Sequence, residues 1–155
     1  MIPALAITPD PLTSPEIHDL IATHLAQMRA QSPACSVHAL DLSGLTGPGM
    51  AFWAARLNNE LVGCGALKRL SPTEGEIKSM HVRAAHRGKG LARAILGHIE
   101  GEARAGGMRR LWLETGSQPE FAAARALYTA FGYAECPPFG DYLPDPNSTF
   151  MTREL

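Results

Sequence analysis

Apolar positions recur along this chain with two different periods. Ile17, Leu20, Ile21, Leu25 and Met28 follow one another at three- and four-residue steps, with His24 in the same stripe. That spacing predicts a helix with one buried face. Thr13 and Glu16 stand at capping-box spacing before it, and Pro15 falls in the first turn, where its missing N–H breaks no intrahelical bond. A short apolar run over 4–8, ending at Pro9, reads as an edge strand. Residues 51–57 and 61–70 read as two strands, joined at Asn58-Asn59-Glu60, because asparagine tolerates the left-handed backbone of a tight hairpin. A turn over 71–75 leads to a third strand over 76–82.

After Gly90 the period lengthens. Leu91, Ile95, Leu96, Ile99 and Ala103 form a helical stripe that stops at Gly106-Gly107. Residues 111–114 read as a strand and 119–131 as a helix, and Gly132-Tyr133 turns the chain into a last β region. Residues 32–50, rich in Ser, Pro and Gly, read as a loop with room for one helical turn. Connections of that length often border binding sites. The order β-α-β-β-β-α-β-α-β, without repeats or an internal linker, predicts one α/β domain over 1–155 with helices on both sides of a mixed sheet.

Composition narrows the function classes. Of 155 residues, 45% are hydrophobic and 19% charged, enough apolar content to fill a core. A net charge of -1 offers no global attraction to nucleic acid or an anionic membrane, and no apolar run reaches the length of a membrane helix. The first eleven residues lack a basic segment and hold three prolines, unlike a signal peptide, so a cytoplasmic protein is expected. Cys35, Cys64 and Cys136 are scattered, and no HxH, HExxH or CxxC occurs, so neither a disulfide frame nor a metal site is expected.

Chemistry concentrates in one stretch. Between 77 and 99 lie Lys78, Arg83, Arg87, Lys89 and Arg93 with no acidic residue, leaving -6 on the remainder. There a strand runs into a turn holding Gly88 and Gly90, and the turn runs directly into a helix. Glycines admit close approach of a ligand, and the free amides of the helix start suit a phosphate. Lys89 is followed by Gly90 rather than Ser or Thr, against a Walker A loop, and Arg93 stands where a dinucleotide fingerprint needs a third glycine.

Arg87-Gly88-Lys89-Gly90-Leu91-Ala92 resembles the R/Q-x-x-G-x-G/A loop of the GNAT N-acetyltransferase superfamily, with Arg87, Gly90 and Ala92 on the signature positions. Residues 77–82 are similar to the family's splayed fourth strand, and 124–133, from Ala124 to Tyr133, to its A-x-x-L-Y-x-x-x-G-F element. The resemblance covers 51–136. The tail over 138–155 is similar to that of one bacterial branch of small GNAT proteins.

The resemblance implies a mixed, mostly antiparallel sheet with a splayed strand pair at the cofactor site. It also implies direct transfer of an acetyl group from acetyl-CoA to an amine. The cofactor site would comprise Met80, His81, Val82, Arg87, Gly88, Lys89, Gly90, Leu91, Ala92 and Arg93. Backbone N–H groups near Met80 and Val82 would meet the thioester carbonyl, and Tyr128 would protonate the departing thiolate. Glu76 and Glu114, at strand ends, are the candidate bases, ahead of His81, which strand alternation turns to the opposite face from Met80 and Val82. One position departs from the pattern: Phe121 stands where many members carry asparagine.

For the acceptor, the 32–50 loop, Trp53 and the Asp141-Tyr142 to Asp145 tail are the candidate determinants. Plain turn chemistry beside Pro144 and Pro146 is the simpler reading of the two aspartates, and a boundary or core position is the simpler reading of His24. A small-molecule amine is the first expectation. A protein lysine or N-terminus, or non-catalytic acyl-CoA binding, are the alternatives. The family also implies a homodimer.

Overall fold

The computed structural model describes residues 4–155, so the first three residues of the N-terminal segment lie outside the described residues. The strands are β1 (Leu5–Pro9), β2 (Met50–Leu57), β3 (Glu60–Ser71), β4 (Glu74–Val82), β5 (Arg110–Gly116), β6 (Ala134–Cys136) and β7 (Ser148–Glu154). The helices are α1 (Pro15–Gln31), α2 (Leu42–Leu45), α3 (Leu91–Ala105) and α4 (Ala122–Ala130). The strands form one sheet in the order β1-β2-β3-β4-β5-β7-β6. Every neighbouring pair is antiparallel except β4 and β5, which run parallel and are joined through α3.

Most elements follow from the hydrophobic pattern. Asn58 and Asn59 carry φ of 51° and 68°, closing the β2–β3 hairpin in two left-handed residues. Pro9 sits in β1 at the sheet edge, where a missing N–H breaks no ladder. Ile17, Leu20, Ile21 and His24 of α1 are buried, and Leu25 packs partly buried on the same side. On the opposite face, Leu91, Ile95, Leu96 and Ile99 of α3 are buried against the sheet. A Cβ on Gly65 would come within 2.8 Å of both Ile95 and Ile99, so this glycine lets α3 lie close on β3. No helix among the described residues is long and apolar enough to cross a membrane.

Three details differ from the sequence reading. The N-cap of α1 is Ser14, whose Oγ accepts from the Ile17 N–H at 3.3 Å, rather than Thr13 of a box with Glu16. Pro15, with its fixed φ, occupies the first helical position and shifts the cap by one residue. The segment 119–131 begins as a 3-10 turn, Pro119–Phe121, before α4. The last β region is two strands, with β7 inserted between β5 and the short β6. The loop joining them includes Tyr142, which reaches β4.

Candidate active site

β4 and β5 are paired only at Glu74 with Arg110, Gly75 with Leu111 and Glu76 with Trp112. Beyond Glu76 the strands part, β4 continuing to Val82 and β5 to Gly116. The gap widens into a cleft of about 610 Å³, bordered by the C-terminal half of α1, residues 36–39, the loop before α3, and α4.

The strand that floors the cleft is irregular. Cys64 faces His81 and Ala66 faces Lys78, so β4 holds one residue more than β3 between these pairs, and Ser79 takes a left-handed φ of 54°. This bulge reverses the parity of the strand. Ile77 and Met80, three residues apart, both pack with the α3-side cluster. The Arg83 N–H donates to the Val62 carbonyl at 2.8 Å. By the two-residue period, the amides of Val82 and Met80 face the other way, into the gap.

The loop before α3 meets the cleft with backbone. Gly88 and Gly90 have φ of 79° and 80°, in the left-handed region. A Cβ on Gly88 would find no atom within 4 Å. Gly90 is the N-cap of α3 and supplies no side chain, so the first-turn amides remain available at the positive end of a 15-residue helix. Gly88, Gly90, Leu91, Ala92 and Arg93 border the cleft. The Leu91 side chain is buried in the core, so its backbone is what it offers.

The basic side chains are divided among different tasks. Arg87 reaches back, Nε donating to the Val82 carbonyl at 3.3 Å and Nη2 to Gln27 Oε1 at 3.0 Å. Lys89 Nζ donates to His86 Nδ1 at 3.0 Å, and His86 Nε2 lies 2.9 Å from Glu60; Lys89 is not in the cleft wall. The Arg93 guanidinium lies 5.2 Å over the Phe131 ring. Lys78 donates to Glu76 Oε2 at 3.1 Å and to the Tyr142 hydroxyl at 2.8 Å.

His81 turns away from Met80 and Val82 and meets His24, their Nδ1 atoms 3.2 Å apart. One Nδ1 donates and the other accepts. Burial lowers the pKa of His24 to about 4 and that of His81 to about 3, with His24, Arg87 and Arg83 adding to the latter, so both rings are neutral at pH 7.

Tyr128 is buried on α4, its hydroxyl 3.7 Å from Met80 Sδ. Burial, with a contribution from the Glu114 charge, raises its pKa well above the usual phenol range and keeps the proton in place. Burial likewise pushes the Glu114 carboxyl up to about 7. Glu76 is buried, and both Lys78 and Tyr142 donate to its Oε2. Glu76, Glu114 and Tyr128 all line the one cleft.

The remaining candidates separate. Trp53 lies in the core, edge-on to His98 of α3, and borders neither the cleft nor the C-terminal loop. Asp145 accepts from the Asn147 N–H, as turn chemistry predicts, and also from the Ser36 hydroxyl. Phe121 lies under Gly116, where a Cβ would come within 2.1 Å of its ring. The polar ties of that turn come from Arg125, which donates to the Gly116 carbonyl at 2.7 Å and the Gln118 carbonyl at 3.0 Å. The bond from Tyr142 to Glu76 and the Gln27 tie to Arg87 were not legible in the sequence. Only the aromatic residue in a Pro-rich tail gave any signal for the first.

Comparison with known proteins agrees with this geometry. Residues 17–133 match the model of the acetyltransferase (GNAT) family. The chain is 50% identical over 146 residues to the uncharacterized N-acetyltransferase YsnE of Bacillus subtilis, covering 94% of this chain and 97% of that one. It is 42% identical over 149 residues to the uncharacterized N-acetyltransferase YedL of Escherichia coli, covering 96% and 94%. A crystal structure from Klebsiella pneumoniae, named as a candidate acyl-CoA N-acyltransferase, superposes with a TM-score of 0.83 at 36% identity, covering 97% of each chain.

Proposed function

This chain belongs to the acetyltransferase (GNAT) family, and we propose that it moves the acetyl group of acetyl-CoA directly to the primary amine of a small molecule. The observation that carries this reading is the three-position pairing of β4 with β5. It leaves a gap that leads from the uncapped start of α3 past Tyr128 to Glu76 and Glu114.

In this reading the amides at the start of α3, with Gly88 and Gly90, hold the pyrophosphate of the coenzyme. The pantetheine arm pairs with the free edge of β4. The Met80 and Val82 amides, facing the gap, stabilise the oxyanion that forms on the thioester carbonyl. Glu114 is the base, since a carboxyl with a pKa of about 7 is half ionised at neutral pH and can take a proton from an ammonium. Glu76, fixed by Lys78 and Tyr142, orients the incoming ammonium.

The freed amine attacks the carbonyl carbon, a C–N bond forms and the C–S bond breaks. Tyr128 gives its proton to the sulfur and regains one as the second amine proton leaves. The products are the N-acetyl amine, free coenzyme A and one proton. Positioning both substrates in one cleft supplies several kcal/mol of the rate enhancement, on the order of 7–11 in favourable cases.

A small acceptor is favoured over a protein because residues 36–39 and Tyr142 border the reaction end and narrow it. The test is release of free thiol from acetyl-CoA with a panel of small primary amines, a lysine peptide and a peptide with a free N-terminus. Turnover with a small amine at higher kcat/KM than either peptide is expected. Turnover confined to a peptide would move the acceptor to protein, and tight acetyl-CoA binding without any turnover would make the chain an acyl-CoA-binding protein.

A further inference from the structure

A second cavity adjoins the reaction cleft. It is an open trough of about 800 Å³ between the 33–38 segment, the outer end of β3 and the loop before β7. Ser36, His38, Glu76, Lys78 and Tyr142 belong to both cavities, so the two meet at the carboxylate that faces the proposed acceptor.

The lining of this trough is uneven in a way that selects a ligand. Leu143 is 79% exposed and Leu70 41%, the large exposed hydrophobic side chains among the described residues, and both stand on its rim. Its inner wall is aromatic. The ring of Phe139 lies 5.1 Å from that of Tyr142 and 5.2 Å from that of Trp112, which joins the stack from β5. At the junction Lys78 Nζ, 3.1 Å away, and the Tyr142 hydroxyl both donate to Glu76 Oε2, so an incoming ammonium meets Glu76 Oε1, which has no hydrogen-bond partner among the described residues. Single exposed leucines need no explanation, but two on the rim of one trough that also holds the Phe139 and Tyr142 rings give an apolar surface leading toward a carboxylate, with Lys68, Asp141 and Asp145 completing the lining.

Resting on the acetyl-transfer reading above, we propose that this trough is the acceptor site and that it takes a primary amine carrying an apolar or aromatic body. The body lies along Phe139, Leu143 and Leu70, and the ammonium points through the junction to Glu76 and Glu114. A polyhydroxylated amine would leave the apolar rim in water and gain little from it.

The test compares kcat/KM for 2-phenylethylamine and ethylamine in the wild type and in Leu143→Asp, a change at an exposed position that leaves the fold intact. Size-exclusion mass is measured on both proteins. A preference of roughly tenfold or more for 2-phenylethylamine is expected. It should shrink about fivefold or more in Leu143→Asp, with the affinity for acetyl-CoA unchanged. Equal use of the two amines, or a preference the variant does not alter, would overturn the proposal while leaving acetyl transfer standing. A fall in mass in Leu143→Asp with the preference intact would assign the rim to a second copy of the chain and also overturn it. If neither amine is acetylated, acetyl transfer is judged by the wider panel of amines and peptides above. Calorimetric titration of 2-phenylethylamine into protein saturated with coenzyme A then decides the trough: binding weakened by Leu143→Asp supports it, and no binding removes it.

Discussion

Tyr142, in the loop before the last strand, donates its hydroxyl proton to Oε2 of Glu76, 66 residues earlier on β4. This bond links the C-terminal loop to the strand that floors the cleft, and Lys78 donates to both partners. Removing the hydroxyl removes a hydrogen bond to a buried carboxylate, a contact of about 1.5–3 kcal/mol. In Tyr142→Phe the expected result is a fall in kcat/KM for the amine of roughly 10- to 100-fold, with the Kd of acetyl-CoA unchanged by calorimetry. Equal loss of both would show that the loop supports the coenzyme site instead.

Gly90 starts α3 with a left-handed φ of 80°. Aspartate and asparagine tolerate that backbone about equally, so comparing them isolates charge from strain. Gly90→Asp is expected to weaken acetyl-CoA binding by roughly tenfold or more relative to Gly90→Asn, because it would set a negative charge at the proposed pyrophosphate site. Equal affinities by calorimetric titration would place the pyrophosphate elsewhere.

The buried hydroxyl of Tyr128 is kept protonated by its surroundings. As the acid toward the departing thiolate, its removal in Tyr128→Phe should lower kcat by on the order of 100-fold while the Kd of acetyl-CoA stays within about twofold. An unchanged turnover number would leave it a packing residue.

Glu114, with its carboxyl pushed up to about 7, makes a prediction with two signs. As the base, it acts when ionised, so kcat/KM should rise with pH through an inflection near 7. Glu114→Gln should lose that inflection and keep only the higher limb set by the acceptor amine. For stability the direction reverses. Between 4.5 and about 7 the folded protein holds a proton that the unfolded chain has lost, so this group makes stability fall as pH rises. Glu114→Gln should therefore be the more stable protein at pH 8, by roughly 3 kcal/mol at most, and the advantage should vanish below pH 4.5. Urea titrations at the two pH values measure it.

His24 and His81 act in the opposite sense. Their folded pKa values, about 4 and about 3, lie below the ordinary 6.5. The unfolded chain binds protons first, so the stability they contribute is full above pH 6.5 and is lost as pH falls toward 4 and below. Thermal unfolding of the wild type should show Tm declining through that window. His24→Gln, which cannot acquire the charge, should decline less. Parallel curves would show that carboxylates alone govern the acid limb.

Much of this protein was legible one residue after another. The period of the apolar side chains placed α1 and α3, and the sequence pattern marked every strand but one, while α2 stayed inside the 32–50 loop. The two glycines before an apolar helix located the left-handed turn that starts α3, and alternation turned His81 away from Met80 and Val82. These features depend on near neighbours, and near neighbours are what a sequence displays.

The single "last β region" resolved into two strands because the chain between them leaves the sheet and brings Tyr142 to Glu76, and pairing partners of β7 are chosen across space. The bulge at Ser79 depends on a partner strand of different residue count. That the Glu114 carboxyl is pushed up to about 7, and that Glu76 Oε2 accepts from Lys78 and Tyr142, follow from which side chains surround each group. Desolvation and ion pairing are sums over neighbours remote along the chain. Near neighbours therefore set the elements and the glycine turn that starts α3. Packing of distant segments set the raised pKa of Glu114, the contact of Tyr142 with Glu76 and the trough beside the cleft.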